Sequence, residues 1–210
     1  MQRLMASMIF TAVLWATAMP GSAGKKSTVS YAATETVVSD GQTMNGKIYV
    51  APGKARREMT MKGKTQIIIT RLDKKMNWHL MPEQKMYMEI PIGQATSGGS
   101  ADGGDINIKE RTKIGSETID GVKTTKYKIT AVNAKGDSLE GFVWLTKEGI
   151  ELKLDAESQS KGRSVRYVKT LSDLQIGKQK ASLFEIPKGY TGMGSPGKPN
   201  IGEMMKRMGR

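Results

Sequence analysis

Between Ser30 and Pro91 apolar and polar residues alternate in short runs, and each run ends at a turn signal. The period of two is that of β-strands, in which successive side chains point to opposite faces. Tyr31 to Val38 leads into Asp40-Gly41, a dipeptide that favours a two-residue hairpin turn. In Thr43 to Val50, Met44, Ile48 and Val50 fall on one side, and Asn45, Lys47 and Tyr49 on the other. Ala51-Pro52-Gly53 turns the chain into Ala55 to Met61. There Arg57, Met59 and Met61 share a face opposite Arg56, Glu58 and Thr60. Gln66 to Thr70 is β-branched, Met76 to Met81 follows the Asp73-Lys74-Lys75 turn, and Met86, Met88 and Ile90 alternate with Tyr87 and Glu89. This pattern predicts an antiparallel meander.

Thr96 to Asp105 (TSGGSADGGD) breaks the pattern, and its Gly, Ser and Asp content predicts a loop. Alternation resumes around a second hairpin signal, Asp120-Gly121. Beyond it come Tyr127, Ile129 and Ala131, then Phe142 to Leu145, Ile150 to Leu154 and Ser164 to Val168. Helical periodicity is scarce. Residues 171–186 suit a turn or short helix before Leu183-Phe184-Glu185-Ile186, and 191–210 reads as a flexible basic tail. The expected fold is mainly β: one domain over residues 24–190, built from nine or ten strands in a single curved antiparallel sheet.

The first 23 residues have a different character. Arg3 precedes an apolar stretch from Leu4 to Trp15, and Pro20 is followed by Gly21-Ser22-Ala23. This is the layout of a cleaved signal peptide, with Ala18 as the alternative cleavage site. The stretch falls short of the ~20 residues that span a bilayer. Export to the periplasm is the expectation.

Composition narrows the chemistry. With no cysteine and one histidine among 210 residues, disulfides, thiolate metal sites, Cys nucleophiles and multi-His metal centres are all excluded. A Ser-His-Asp triad would have to use His79, and no nucleophile or orienting acid stands out near it. The carboxylates Asp40, Asp73 and Asp120 sit at turns, where bonding to the backbone explains them. Asp102-Gly103-Gly104-Asp105 lacks the serial oxygen ligands of a calcium loop, and no phosphate-binding glycine motif opens a helix. Neither a catalytic residue nor a cofactor is expected. The net charge of +13 points to an anionic membrane surface or an acidic protein partner. Nucleic acid is not expected, because aromatics make up only 6% of the chain and do not interleave with the basic residues.

Methionine is the unusual component. Of the 15 in the chain, Met44, Met59, Met61, Met76, Met81, Met86 and Met88 crowd into the first meander. Its flexible, polarizable side chain suits a surface that accepts acyl chains, and it equally suits an ordinary core. A Cu(I) reading competes, because Met59 with Met61, Met86 with Met88, and His79 with Met81 each share a strand face. An apolar strand face accounts for the same spacing, and no metal site is assigned.

Several phrases carry a resemblance. Asp40-Gly41-Gln42-Thr43, Gly46-Lys47-Ile48-Tyr49, Pro52 to Met59, Trp78-His79-Leu80-Met81-Pro82, Lys85 to Glu89 and Leu183 to Tyr190 resemble an exported bacterial family of unknown function. That family is similar to the periplasmic carriers of outer-membrane lipoproteins. The resemblance implies a strongly curved, unclosed half-barrel whose concave apolar face holds lipid acyl chains, with Leu183 to Tyr190 as closing strand and turn. Carriers plug this concavity with helices, and this sequence shows no helical pattern there. The implied function is non-enzymatic binding of a lipid or acyl-chain ligand. Met44, Ile48, Val50, Met59, Met61, Trp78, Leu80, Met86, Met88, Tyr127 and Ile129 would line the face, and Arg57 is the candidate for the arginine that carriers use in gating. An envelope interaction or stress-sensing module with a filled core is the alternative.

Overall fold

A computed structural model describes residues 28–61, 63–92, 95–96, 99–100, 107–132, 138–160 and 163–193. The predicted signal peptide and residues 194–210 of the predicted tail lie outside the described residues. The first meander comprises β1 (Tyr31–Ser39), β2 (Gln42–Ala51), β3 (Lys54–Met61), β4 (Lys64–Arg71), β5 (Met76–Met81) and β6 (Met86–Pro91). In the Gly/Ser-rich segment, two short strands, β7 (Ala95–Thr96) and β8 (Gly99–Ser100), pair with each other where only a loop is expected. The second meander comprises β9 (Asn107–Ile119), β10 (Val122–Val132), β11 (Ser138–Leu145), β12 (Glu151–Ser160) and β13 (Arg163–Ile176). A 3-10 turn, Ala181–Phe184, and a two-residue strand, β14 (Thr191–Gly192), complete the order.

The meanders join through antiparallel pairing of β1 with β13 in the middle of one twelve-stranded sheet, ordered β14-β6-β5-β4-β3-β2-β1-β13-β12-β11-β10-β9. The sheet is not closed into a barrel. The strands are longer and more numerous than the alternation alone suggests. The closing phrase also differs: Leu183 and Phe184 lie in the 3-10 turn, and the strand that closes the sheet is Thr191–Gly192, paired parallel to β6. Turn chemistry behaves as expected. Asp40 and Gly41 have φ of 51° and 70°, and Asp120 and Gly121 of 49° and 72°, the double left-handed geometry that matches strand twist in a two-residue hairpin.

Chain length forces the sheet to curl. From β6 to β9 is ten strand spacings, about 48 Å across a flat sheet. Residues 92–106 would cover that distance only if almost fully extended, and the β7–β8 hairpin shortens their reach to about 40 Å. The β9–β10 end folds over accordingly. Asp120 at its hairpin tip accepts a hydrogen bond from the Asp173 backbone N–H on β13 at 2.9 Å, and Ile119 and Val122 pack against the cluster containing Tyr31 and Leu171. The inner face of the curl carries the core, including Val37, Met44, Ile48, Met59, Ile129, Val143, Leu152, Leu154 and Leu171.

The outer face is covered differently in the two halves. Past β13 the chain crosses the outside of the first meander as a strap. Phe184 packs there with Ile67, Ile69, Trp78 and Leu80. Arg56 donates to the Leu183 carbonyl at 3.2 Å, and Arg71 donates to that of Phe184 at 3.1 Å. Glu185 and Asp73 hold the Arg71 guanidinium in turn. Outside the second meander no strap lies among the described residues. There the indole of Trp144 donates to Glu117 at 2.7 Å beneath Lys126 and Lys153, whose ammonium groups lie 4.8 and 4.7 Å from its ring.

Candidate functional site

Strand register assigns each candidate residue to a face. Ile48, Arg57, Ile68, His79 and Met88 stand opposite one another across β2 to β6, and Gly46 and Met59 form the adjoining row two residues along β2 and β3. Met44, Ile48, Val50, Arg57, Met59, Met86 and Met88 therefore share the inner face. On β10, Tyr127 and Ile129 face the same interior. Trp78 and Leu80 do not join them. Their register partners Glu89 and Tyr87 lie on the outer face, where the Trp78 indole donates to Glu89 at 3.2 Å and Leu80 packs under Phe184. Placing them on the lining with the methionines is thus corrected: both residues sit one position out of phase with His79 and Met81, and alternation turns them outward. For Met61 the structure describes only the strand position.

The centre of the inner face is filled by its own side chains. Met44, Met59 and Ile129 are 4%, 3% and 5% exposed. Toward β4–β6 the packing loosens: Ile68, His79, Met81, Met86 and Met88 are each half-buried on this face, as are Val50 and Tyr127 elsewhere on it. Among the described residues no helix covers this strip.

Within the core lies a charged group that pattern reading missed. Glu35, fully buried on β1, pairs with Arg57 of β3 at 2.6 Å across the intervening β2. The row between them contains Gly46, where a Cβ would run into the Glu58 carbonyl and the Met59 sulfur. The small residue lets β2 pass beneath the pair. Nearby, Lys169 of β13 meets Glu151 of β12 at 2.5 Å, with both side chains at least nine-tenths buried. Burial by itself disfavours the Lys169 ammonium, but Glu151, Tyr167 and Glu35 outweigh it and carry its pKa above the ordinary lysine value. Arg57 follows the same logic, burial opposing and Glu35 prevailing. Burial also raises the phenols of Tyr31 and Tyr167. The signal was present in the sequence: Glu35 falls between Ala33 and Val37 in the inward register of β1, and Lys169 between Tyr167 and Leu171. A charge in a core register is paired or it is not tolerated.

Residues 34–166, more than half of the sequence, match a family model described as a domain of unknown function, DUF4412. The chain belongs to that family. No curated protein matches the sequence. Among solved structures, an uncharacterized conserved protein from Thermus thermophilus shares the fold with a TM-score of 0.54 at 13% identity, over 80% of this chain and 91% of that one. The MucA/MucB complex of Pseudomonas aeruginosa overlaps with a TM-score of 0.44 at 14% identity, covering 77% of this chain and 56% of that one. A candidate outer membrane lipoprotein-sorting domain from Vibrio parahaemolyticus gives 0.37 at 9% identity, over 74% and 89%. The last two overlaps are too loose to carry an argument, and the first speaks for the fold alone.

Proposed function

We propose that this DUF4412 chain is an exported, periplasmic, non-enzymatic binding protein that holds a lipid or acylated ligand against the inner face of its sheet. The observation that carries this reading is the half-buried strip of Ile68, Met81, Met86 and Met88, apolar side chains on the inside of the curl with no helix over them among the described residues. Methionines on such a surface re-pack around acyl chains of different shape with little strain. The chain's excess of 13 positive charges suits an anionic headgroup, a membrane surface or an acidic protein partner. Native mass spectrometry of protein purified in the presence of membranes tests the reading, together with displacement of a fluorescent fatty acid. Co-purifying lipid that is lost in Met86→Gln/Met88→Gln is the expected result. Protein that arrives lipid-free and binds no probe would overturn it.

A second reading has its own support. Met44, Met59 and Ile129 close the centre of the inner face without a ligand, as an envelope interaction or stress-sensing module with a filled core would require. It predicts no lipid and an acidic protein partner whose affinity falls steeply between low and physiological salt.

A further inference from the structure

The loosest part of the inner face also gathers sulfur around the only histidine of the chain. His79 on β5 stands directly opposite Met88 on β6, and Met81 directly opposite Met86. Directly opposed residues in an antiparallel pair place their Cβ atoms about 4.5–5.5 Å apart, within reach of a thioether and an imidazole. The strap adds a further sulfur. β14 runs parallel to β6, Thr191 aligned with Met86 and Gly192 with Tyr87, and the ladder continues as the Met193 N–H donates to the Tyr87 carbonyl at 2.7 Å. The next residue in register is Met193 beside Met88, on the same face. The row thus reads Ile68, His79, Met88, Met193 across four adjacent chain segments, with Met81 and Met86 in the row alongside.

A second observation comes from His79 itself. Its Nε2 is shut off from solvent and has no hydrogen-bond partner among the described residues. A buried nitrogen left without a partner is destabilising and calls for an explanation. Apolar packing explains methionines on this strip, but it does not explain an imidazole with an unused nitrogen among them. Around it the ligand set is neutral and soft. Glu89, the carboxylate on β6, points to the outer face with Trp78, and Arg57 in the same row lies beyond Ile68 and is held by Glu35. Among the described residues no cluster of three His, Cys, Asp or Glu side chains offers a harder site.

We propose that His79, Met81, Met86, Met88 and Met193 form a binding site for a single soft monovalent ion, Cu(I), held by the imidazole Nε2 and a subset of the thioethers. Thioether and imidazole ligands suit Cu(I) and leave Mg²⁺, Ca²⁺ and Mn²⁺ without oxygen donors. A donor set of thioethers and one imidazole, with no carboxylate or thiolate, disfavours the double charge of Zn²⁺ or Cu²⁺. Binding requires no change of oxidation state. The inference goes beyond acyl binding and does not depend on it.

Because His79 is the only histidine, its imidazole nitrogens give one unambiguous pair of NMR signals in the ¹⁵N-labelled full chain. Titration with Ag(I), a redox-inert stand-in, followed by Cu(I) without oxygen, should move the Nε2 signal and saturate at one equivalent. Met88→Leu/Met193→Leu should keep the thermal transition and weaken Ag(I) binding on the order of a hundredfold, the upper end of what even an outer-shell loss costs a metal site. Met76→Leu, on the outer face with Trp78, should bind as the parent does. An imidazole signal unmoved by either ion overturns the proposal even if metal is retained, because the ion then sits on other methionines. Parent-like affinity in the folded double variant overturns it as well. Should that variant not fold, the imidazole signal of the parent decides alone. Lipid binding is read by mass in a separate experiment, so failure of one reading is distinguishable from failure of the other.

Discussion

The two faces of the first meander are buried by opposite means. The inner face is closed by curvature: β1–β3 meet the second meander's strands across a core that encloses Glu35–Arg57 and Lys169–Glu151. The outer face is closed by attachment, through a strap from the far end of the chain that seats Phe184 on Trp78 and Leu80 and is tied down by Arg56 and Arg71. Curvature is a property of the whole sheet, so damage to the inner core is felt globally. A strap can lift while the sheet beneath it persists. The difference shows how a sheet with few helices can bury apolar residues on both sides, and why the inner face keeps a loose margin where the curl opens.

The largest expected effect is in the inner core. Lys169→Met leaves Glu151 buried without its partner and should cost about 3–5 kcal/mol in urea unfolding, seen as one global transition. Lys169→Met/Glu151→Leu should recover most of that loss. An equally large loss in the double variant would mean that the pair acts through something other than charge compensation. Next is the strap. Phe184→Ala removes a fully buried ring, worth about 3–5 kcal/mol where a site cannot relax. Here the loss should appear first as local release: hydrogen exchange speeding up in 178–193 and a red shift of Trp78 fluorescence, ahead of global unfolding. Simultaneous loss of inner and outer structure would break the contrast between the two faces. Gly46→Ala, which forces a methyl into the β2–β3 backbone beneath the Glu35–Arg57 pair, should cost about 1–3 kcal/mol. The corresponding change at Gly115, where a Cβ meets nothing, should be nearly silent.

The smallest effect depends on pH. Burial holds the His79 imidazole below its ordinary value of 6.5, so on acidification the unfolded chain takes up this proton first. His79 therefore contributes a stability that is complete above about pH 6.5 and declines as the pH falls through the folded-state value, with a slope of at most about 1.4 kcal/mol per unit. His79→Gln should flatten that part of the stability profile. An unchanged slope in the variant would show that the acid sensitivity arises elsewhere.

Alternation, hairpin dipeptides and the lack of helical periodicity made the first meander legible strand by strand, because those signals are local. Met44 with Ile48, and Arg57 with Met59, were each placed on one face of their strand for the same reason, since a period of two within one strand needs no partner. Trp78 and Leu80 show where local reading ends. Each is apolar in an alternating strand, but in Asn77-Trp78-His79-Leu80-Met81 both alternating sets contain apolar residues, and only the cover on each side decides which set forms the core. The resemblance implies a closing strand at Leu183-Phe184, yet the segment became a 3-10 turn because its partner surface is the outside of β3–β5 rather than a neighbouring edge. The charge pairs were half visible: Glu35 and Lys169 stand in core registers, but their partners are on other strands.

By itself, then, the sequence determined that the chain is a β-sheet protein without thiols, where its hairpins turn, and which residues of each strand share a side. These follow from backbone sterics and residue type acting over a few positions. Tertiary structure decided the rest: that the sheet curls, that both faces of its first meander are buried, that Glu35 and Lys169 find counter-charges, and that Met193 returns to stand beside Met88 and His79. Those outcomes depend on the cross-strand register and on a segment more than a hundred residues away, and no period within a strand encodes either.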